Sequence, residues 1–313
     1  MSKARPFRFG VVGESARSRE QWVTLVRKAE DMGYAVFLLA DHYVNEFPPI
    51  AALMAAADAT SSLHVGSIVF DNDFRHPALL AKEVATLDLL SDGRFELGIG
   101  GGWHREEYEQ VGIPFESARV RISRLEEALQ IIKQFFTQDT VNFTGKHYKV
   151  TGLQAFPKPV QRPYPPIFIG GGGKRLLSIA GREADIVGIH FKVNDDGIVD
   201  AWERSEAAIA QKVEWVRQAA GERFAALELN MLLGTVIITE DRQRGAEQYI
   251  RESSRPGQTS EEVLGNPYLL IGSVEQMAEQ LQRLREVFGI SYFVVGHEYM
   301  EVFAPVVGQL AGV

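Results

Sequence analysis

Apolar positions along the chain follow two alternating rhythms: short runs of β-branched and aromatic residues, and longer stretches in which apolar residues return every three or four positions. That alternation is the pattern of strand-helix units around a parallel sheet. Residues 7–12 read as a first strand. Residues 18–32 read as a helix, with Ser18 as N-cap, a stripe of Trp22, Leu25, Val26 and Ala29, and Gly33 at its end. Strands follow at 35–40 and 63–70, with a helix near 48–60 between them. Pro77 opens a helix over 77–90, and a strand over 94–100 runs into Gly100-Gly101-Gly102. A longer helix over 117–136 carries Ile122, Leu125, Leu129 and Ile132 on one face.

From 137 to 166 the period lapses into a segment with prolines, glycines and aromatics, which reads as an insertion. Strands at 167–169, 185–189 and 227–238 then alternate with helices near 174–181, 201–220 and 241–251. A second irregular stretch covers 251–268. A helix over 273–288, a strand over 291–295 and a helix around 299–310 close the chain. Eight strand candidates with intervening helices predict a (β/α)8 TIM barrel in a single domain over 1–313, with the two irregular stretches as rim insertions. In such a barrel the residues just after each strand form the active face.

Composition narrows the function. The 41 acidic and 33 basic residues give a net charge of −8, and no basic run is dense enough for a nucleic-acid or membrane patch. There are no cysteines, so disulfides, thiolate metal sites and cysteine nucleophiles are excluded. The N-terminal MSKARPFRFGVV lacks a signal-peptide core, and no window has the length of a transmembrane span, so a cytoplasmic protein is expected. The seven histidines stand singly in the sequence, which predicts no metal site. No G-x-S-x-G elbow appears, and Ser67 lies inside a strand-like run, so a serine hydrolase is not expected.

The chemistry-bearing candidates cluster after strands. Asp41-His42 follows the second strand, where a carboxylate beside a histidine can orient it or raise its basicity; a loop pair or helix cap is the plainer alternative. After the third strand comes Asp71-Asn72-Asp73-Phe74-Arg75-His76-Pro77, in which Asp73 or His76 could cap the next helix but Asn72 has no such explanation. Gly98-Ile99-Gly100-Gly101-Gly102-Trp103 leaves room for a flat ring, and the absence of a following acidic residue argues against a nicotinamide-type fold. Gly170-Gly171-Gly172-Gly173, ahead of Lys174-Arg175, joins a strand to a helix N-terminus and has the makings of a phosphate site.

Taken together, these segments resemble the luciferase-like monooxygenase superfamily, and especially its branch that uses coenzyme F420. The carriers are Ala40-Asp41-His42, Arg75-His76-Pro77, Ala85 through Arg94, Gly98 through Trp103 with Glu107-Tyr108, Gly112 through Phe115, Pro165 through Gly173, and Leu270-Ile271-Gly272-Ser273. The resemblance implies an oxidoreductase that transfers a hydride between F420 and a small organic substrate, as a homodimer. The alternatives are an FMN-dependent monooxygenase that uses reduced flavin and oxygen, and a flavin-binding barrel without turnover. It implies a cofactor-binding set of Ser67, Ile68, Val69, Asn72, Gly100, Gly101, Gly102, Trp103, Gly170, Gly171, Gly172, Gly173, Lys174, Arg175 and His190. His42, with Asp41 and Asn72, forms the implied catalytic group. It also implies a non-proline cis peptide, by position at Ser67-Ile68. Sugar-phosphate dehydrogenases of this branch carry a glutamate just after the fourth-strand glycines; here Trp103 stands there, which points to a less polar substrate.

Overall fold

The structure, a computed structural model, describes residues 5–44, 46–193, 199–253 and 257–313. Part of the second expected insertion, 254–256, lies outside the described residues.

In chain order, β1 (Arg8–Gly13) leads to α1 (Arg19–Asp31), β2 (Val36–Leu39) to α2 (Pro49–Ala59), and β3 (His64–Ser67) with β4 (Phe70–Asp71) to α3 (Pro77–Leu90). β5 (Phe95–Gly100) is followed by α4 (Arg105–Val111), α5 (Ala118–Thr137) and the strands β6 (Thr140–Thr144) and β7 (Lys149–Gln154). β8 (Ile167–Gly171) precedes α6 (Lys174–Glu183), and β9 (Ile186–Ile189) precedes α7 (Glu206–Ala220). Then come β10 (Glu228–Leu232), β11 (Thr235–Ile238), α8 (Arg242–Glu252), α9 (Ser260–Leu264), β12 (Leu269–Gly272), α10 (Val274–Phe288), β13 (Ile290–Gly296) and α11 (Met300–Leu310).

The strands pair in parallel in the order β3-β2-β1-β13-β10-β9-β8-β5-β4, and β3 also pairs with β5, which closes the sheet into a barrel. β3 and β4 are two pieces of one stave, so the nine segments make the eight-stave barrel that the periodicity predicts. Alternation along each stave divides its side chains between two cores. On β2, Val36 and Leu38 join Phe168, Ile186, Tyr292 and Val294 inside the barrel, while Phe37 and Leu39 face the helices. At the N-terminal ends of the staves, Arg8 pairs with Glu96 and, at 2.7 Å, with Glu228, beneath the Tyr292 ring. This ionic plug lies at the end opposite the mouth.

Three expectations change. The strand expected over 227–238 is two strands: Leu233 still donates to Val294 O at 2.8 Å, but Gly234 donates to Tyr268 O at 2.8 Å, so the chain leaves the barrel there. β11 then pairs with β12 in a separate sheet. The 137–166 segment folds as the antiparallel hairpin β6-β7, and α4 appears where the polar sequence gave no apolar stripe. The cis peptide lies one bond beyond the expected Ser67-Ile68, at Ile68-Val69. The reason is local: Ile68 N still donates to Leu39 O at 2.8 Å, so the β2-β3 ladder runs intact through the Ser67-Ile68 bond.

Candidate active site at the barrel mouth

The loop after β2 brings His42 to the mouth, but its partner is not its neighbour. Asp41 is buried, forms a two-pronged ion pair with Arg75, and accepts a hydrogen bond from Asp71 N at 3.1 Å. It clamps two loops together, which corrects the expected Asp41-His42 pair: a buried carboxylate needs a cation and donors, and Arg75 supplies them. His42 Nδ1 instead lies 2.9 and 3.0 Å from the two carboxylate oxygens of Glu107, on α4. His104 Nδ1 approaches the same carboxylate at 2.8 Å, and Tyr43 N donates to it at 3.4 Å.

Burial disfavours the charged form of Glu107, but the hydrogen bonds from His104 and His42 outweigh it and hold the carboxyl below its usual range. Glu107 is therefore a carboxylate that fixes Nδ1 of His42 as the protonated nitrogen. Nε2 is left as the free acceptor. Singly spaced in sequence, His42, His104 and Glu107 offer ligand atoms within 4.8 Å of one another, as one hydrogen-bonded triad. Trp103 stacks on His104 at 5.0 Å and meets His42 edge-on at 5.8 Å, forming an aromatic wall that is more than half exposed.

One further acid stands near His42 that the sequence did not single out. Burial, together with the charges of Glu14, Glu107 and Asp41, pushes the Glu46 carboxyl above its usual range against the pull of His42, and Glu46 Oε2 is buried without a partner.

The remaining candidates divide sharply. Asn72 is buried and donates to Tyr148 Oη at 3.3 Å and Asp73 Oδ1 at 3.4 Å, tying the hairpin to the rim. No described interaction joins it to His42. His76, as expected, caps α3 by accepting from Ala78 N at 3.2 Å. The Ser67 hydroxyl donates to Gly98 O at 2.7 Å and accepts from Gly98 N at 3.1 Å, so it is engaged in joining β3 to β5. Ile68 and Val69 remain partly exposed at the edge of the inner core. A Cβ on Gly98 would lie 1.8 Å from Ser67 O, one on Gly100 2.6 Å from Val69, and one on Gly102 1.9 Å from Tyr108 Oη; on Gly101 the nearest atom would be 3.7 Å away. Gly102 also adopts φ 71°. Arg121, unremarked in the sequence, donates to Gly101 O at 3.0 Å and Gly102 O at 3.3 Å and so braces this turn.

At the second glycine turn, Gly170 and Gly171 end β8 beside Phe168 and Leu176, and Gly172 lies against the backbone of Phe191 and Lys192, 2.1 Å from a Cβ that it lacks. Only Gly173 faces open space. It is the N-cap of α6 and supplies no side-chain cap, so the helix's first amides remain available to an anion. Lys174 follows at the first helical position. Arg175 is bound to Arg119 O at 2.8 Å and Glu126 Oε2 at 2.6 Å. His190 donates its amide to Gly171 O at 3.1 Å and packs on Phe191; burial and the Lys212 charge lower its pKa to about 4, so its ring is neutral. A fixed histidine, the partly exposed Ile68 and Val69, and an uncapped helix thus lie after the C-terminal ends of the staves, and the open amides at Gly173 fit the phosphate of a ring-bearing chain.

A family model described as luciferase-like monooxygenase matches residues 5–264. The F420-dependent glucose-6-phosphate dehydrogenase of Amycolatopsis mediterranei is 31% identical over 166 residues, 50% of this chain and 49% of its own length. The FMNH(2)-dependent dimethylsulfone monooxygenase of Pseudomonas putida is 31% identical over 159 residues, 48% of this chain and 44% of its own. The chain thus aligns with about half the length of these curated relatives. The solved coenzyme F420 dependent tetrahydromethanopterin reductase of Methanopyrus kandleri superposes with a TM-score of 0.78 at 18% identity, covering 99% of both chains, a likeness of fold.

Proposed function

This chain belongs to the luciferase-like monooxygenase family, and from that premise we propose that it is an oxidoreductase that moves a hydride between coenzyme F420 and a small organic substrate, with His42 giving or taking the accompanying proton. The observation that carries this reading is the His42–Glu107 contact at 2.9 Å, which orients the imidazole and leaves Nε2 free to exchange a proton. When bound, a deazaflavin supplies the two-electron hydride chemistry. The chain's own residues do the rest. Gly173 and the first amides of α6, with Lys174, would hold the phosphate; Ile68, Val69 and the Gly100–Trp103 backbone would hold the ring. His104 shares the Glu107 carboxylate and helps keep it ionised. Trp103, in place of an acid, would give the substrate an apolar wall beside His42.

The Pseudomonas relative, equally identical, supports a second reading in which reduced FMN and oxygen are used. Titrating the purified protein with F420 and with FMN separates the two: F420 binding in the micromolar range or tighter is expected, and tight FMN binding without F420 binding would overturn the first reading. With the bound cofactor identified, His42→Ala should lower kcat by about 10²- to 10⁴-fold, the usual yield of a positioned acid-base group, while leaving cofactor affinity nearly unchanged. Equal losses in both would favour a binding role without turnover.

A further inference from the structure

A cavity of about 670 Å³ opens beside the second glycine turn, where the first turns of α5, the tip of the β6-β7 hairpin and the start of α6 meet. Arg119, Ile122, Ser123, Lys146, His147 and Arg175 line it. It adjoins both glycine turns. Ile122 Cγ1 would lie 3.7 Å from a Cβ on Gly101, and Arg175 is the second residue of the helix that Gly173 begins.

The charge in this cavity is only partly compensated. Arg175 is paired with Glu126, which Arg182 also approaches at 3.7 Å. Glu127, the other nearby acid, accepts from the backbone amides of Lys146, His147 and Tyr148 at 2.8, 2.8 and 3.1 Å. It thereby fixes the hairpin tip and leaves the Lys146 ammonium unpaired. Among the described residues, neither the Arg119 guanidinium nor the Lys146 ammonium has an acceptor, and His147 Nε2 is buried without a partner. In a chain of net charge −8, this is a concentration of unused donors facing one space.

We propose that this cavity binds the carboxylate-bearing tail that F420 carries beyond its phosphate, and that it is where the chain discriminates F420 from FMN, which ends at the phosphate. The proposal rests on the reading that the phosphate sits at Gly173. Arg175, two residues beyond Gly173, lines the cavity. Arg119 offers the planar fork that matches a carboxylate, Lys146 a point charge, and Ser123 and His147 shorter-range hydrogen bonds.

The test is binding, followed by the cofactor's fluorescence, for three ligands: F420 with its glutamyl tail, the same deazaflavin truncated after the phosphate, and FMN. The unaltered chain should bind the tailed form about tenfold tighter than the truncated one, the upper scale of two exposed ion pairs. High salt, or the double variant Arg119→Ala with Lys146→Ala, should erase that advantage and leave the truncated form's affinity in place. Equal binding of tailed and truncated forms by the unaltered chain, which needs no variant to fold, overturns the proposal while the phosphate anchor stands. An advantage that survives the double variant also overturns it. Binding of FMN alone removes both the proposal and the reading beneath it.

Discussion

After β5 the chain passes Gly98, Gly100, Gly101 and Gly102; after β8 it passes Gly170 through Gly173, and what surrounds the two turns differs. In the first, Gly98, Gly100 and Gly102 would each drive a Cβ into another part of the protein, and Arg121 and Tyr108 brace the result. In the second, Gly172 serves packing, while Gly173 opens on space at an uncapped helix. The first turn is thus glycine-rich so that β3, β5 and α4 can approach and deliver Glu107 to His42. The second ends in a glycine that leaves amides accessible from outside. A glycine run marks close approach, and only its neighbours tell whether the visitor is the protein or a ligand.

The comparison can be broken by substitution, most severely at Gly98. Gly98→Ala places a methyl 1.8 Å from the Ser67 carbonyl oxygen, backbone that cannot swing aside, and should cost about 3 kcal/mol or more in a denaturant titration. A loss below about 1 kcal/mol would show that this turn is not packed as described.

The pH dependence of stability sharpens the contrast, because beside each turn stands a titrating group of opposite sign, the buried Asp71 and the half-buried His190. Burial pushes Asp71, behind Gly102, from 3.8 up to about 6, against hydrogen bonds from Asp73 N and Tyr108 Oη that favour its charged form. His190, beside Gly171, is lowered from 6.5 to about 4. As pH falls from about 6.5 to about 4, the unfolded chain protonates His190 and the folded chain does not, so up to about 3 kcal/mol of stability is lost. As pH falls from about 6 to about 4, the folded chain protonates Asp71 first, and up to about 3 kcal/mol is gained. In the unaltered protein the two nearly cancel. His190→Gln should therefore raise Tm on acidification through this window, and Asp71→Asn should lower it. Identical profiles for the two variants would deny the two turns their separate supports.

The smallest expected effect is at Gly173. Its φ of −87° is open to any residue and nothing lies within 4 Å, so Gly173→Ala should change stability by less than about 1 kcal/mol. Affinity for a phosphate-ended flavin should nonetheless fall severalfold, as calorimetry would record. Unchanged affinity would remove the anchor from this turn.

Much of the barrel was legible in the sequence because stave and helix periods are local. Ser18 and His76 do cap their helices, and the glycine turns do fall at the ends of β5 and β8. The site was legible as a set of positions but not as a set of contacts. Ser67 and Asn72 are occupied by the protein's own groups, and Glu107 entered only within the family resemblance, because nothing local joins it to a histidine 65 residues away.

The sequence by itself determined the number of staves, the places of the glycine turns and the net charge of −8, since each depends on residue type and short-range spacing. Only the tertiary structure decided that Asp41 answers to Arg75 while Glu107 answers to His42, and that one glycine in the second turn is open. A carboxylate takes whichever donor the fold brings within about 3 Å, and that choice is made between segments far apart in the chain.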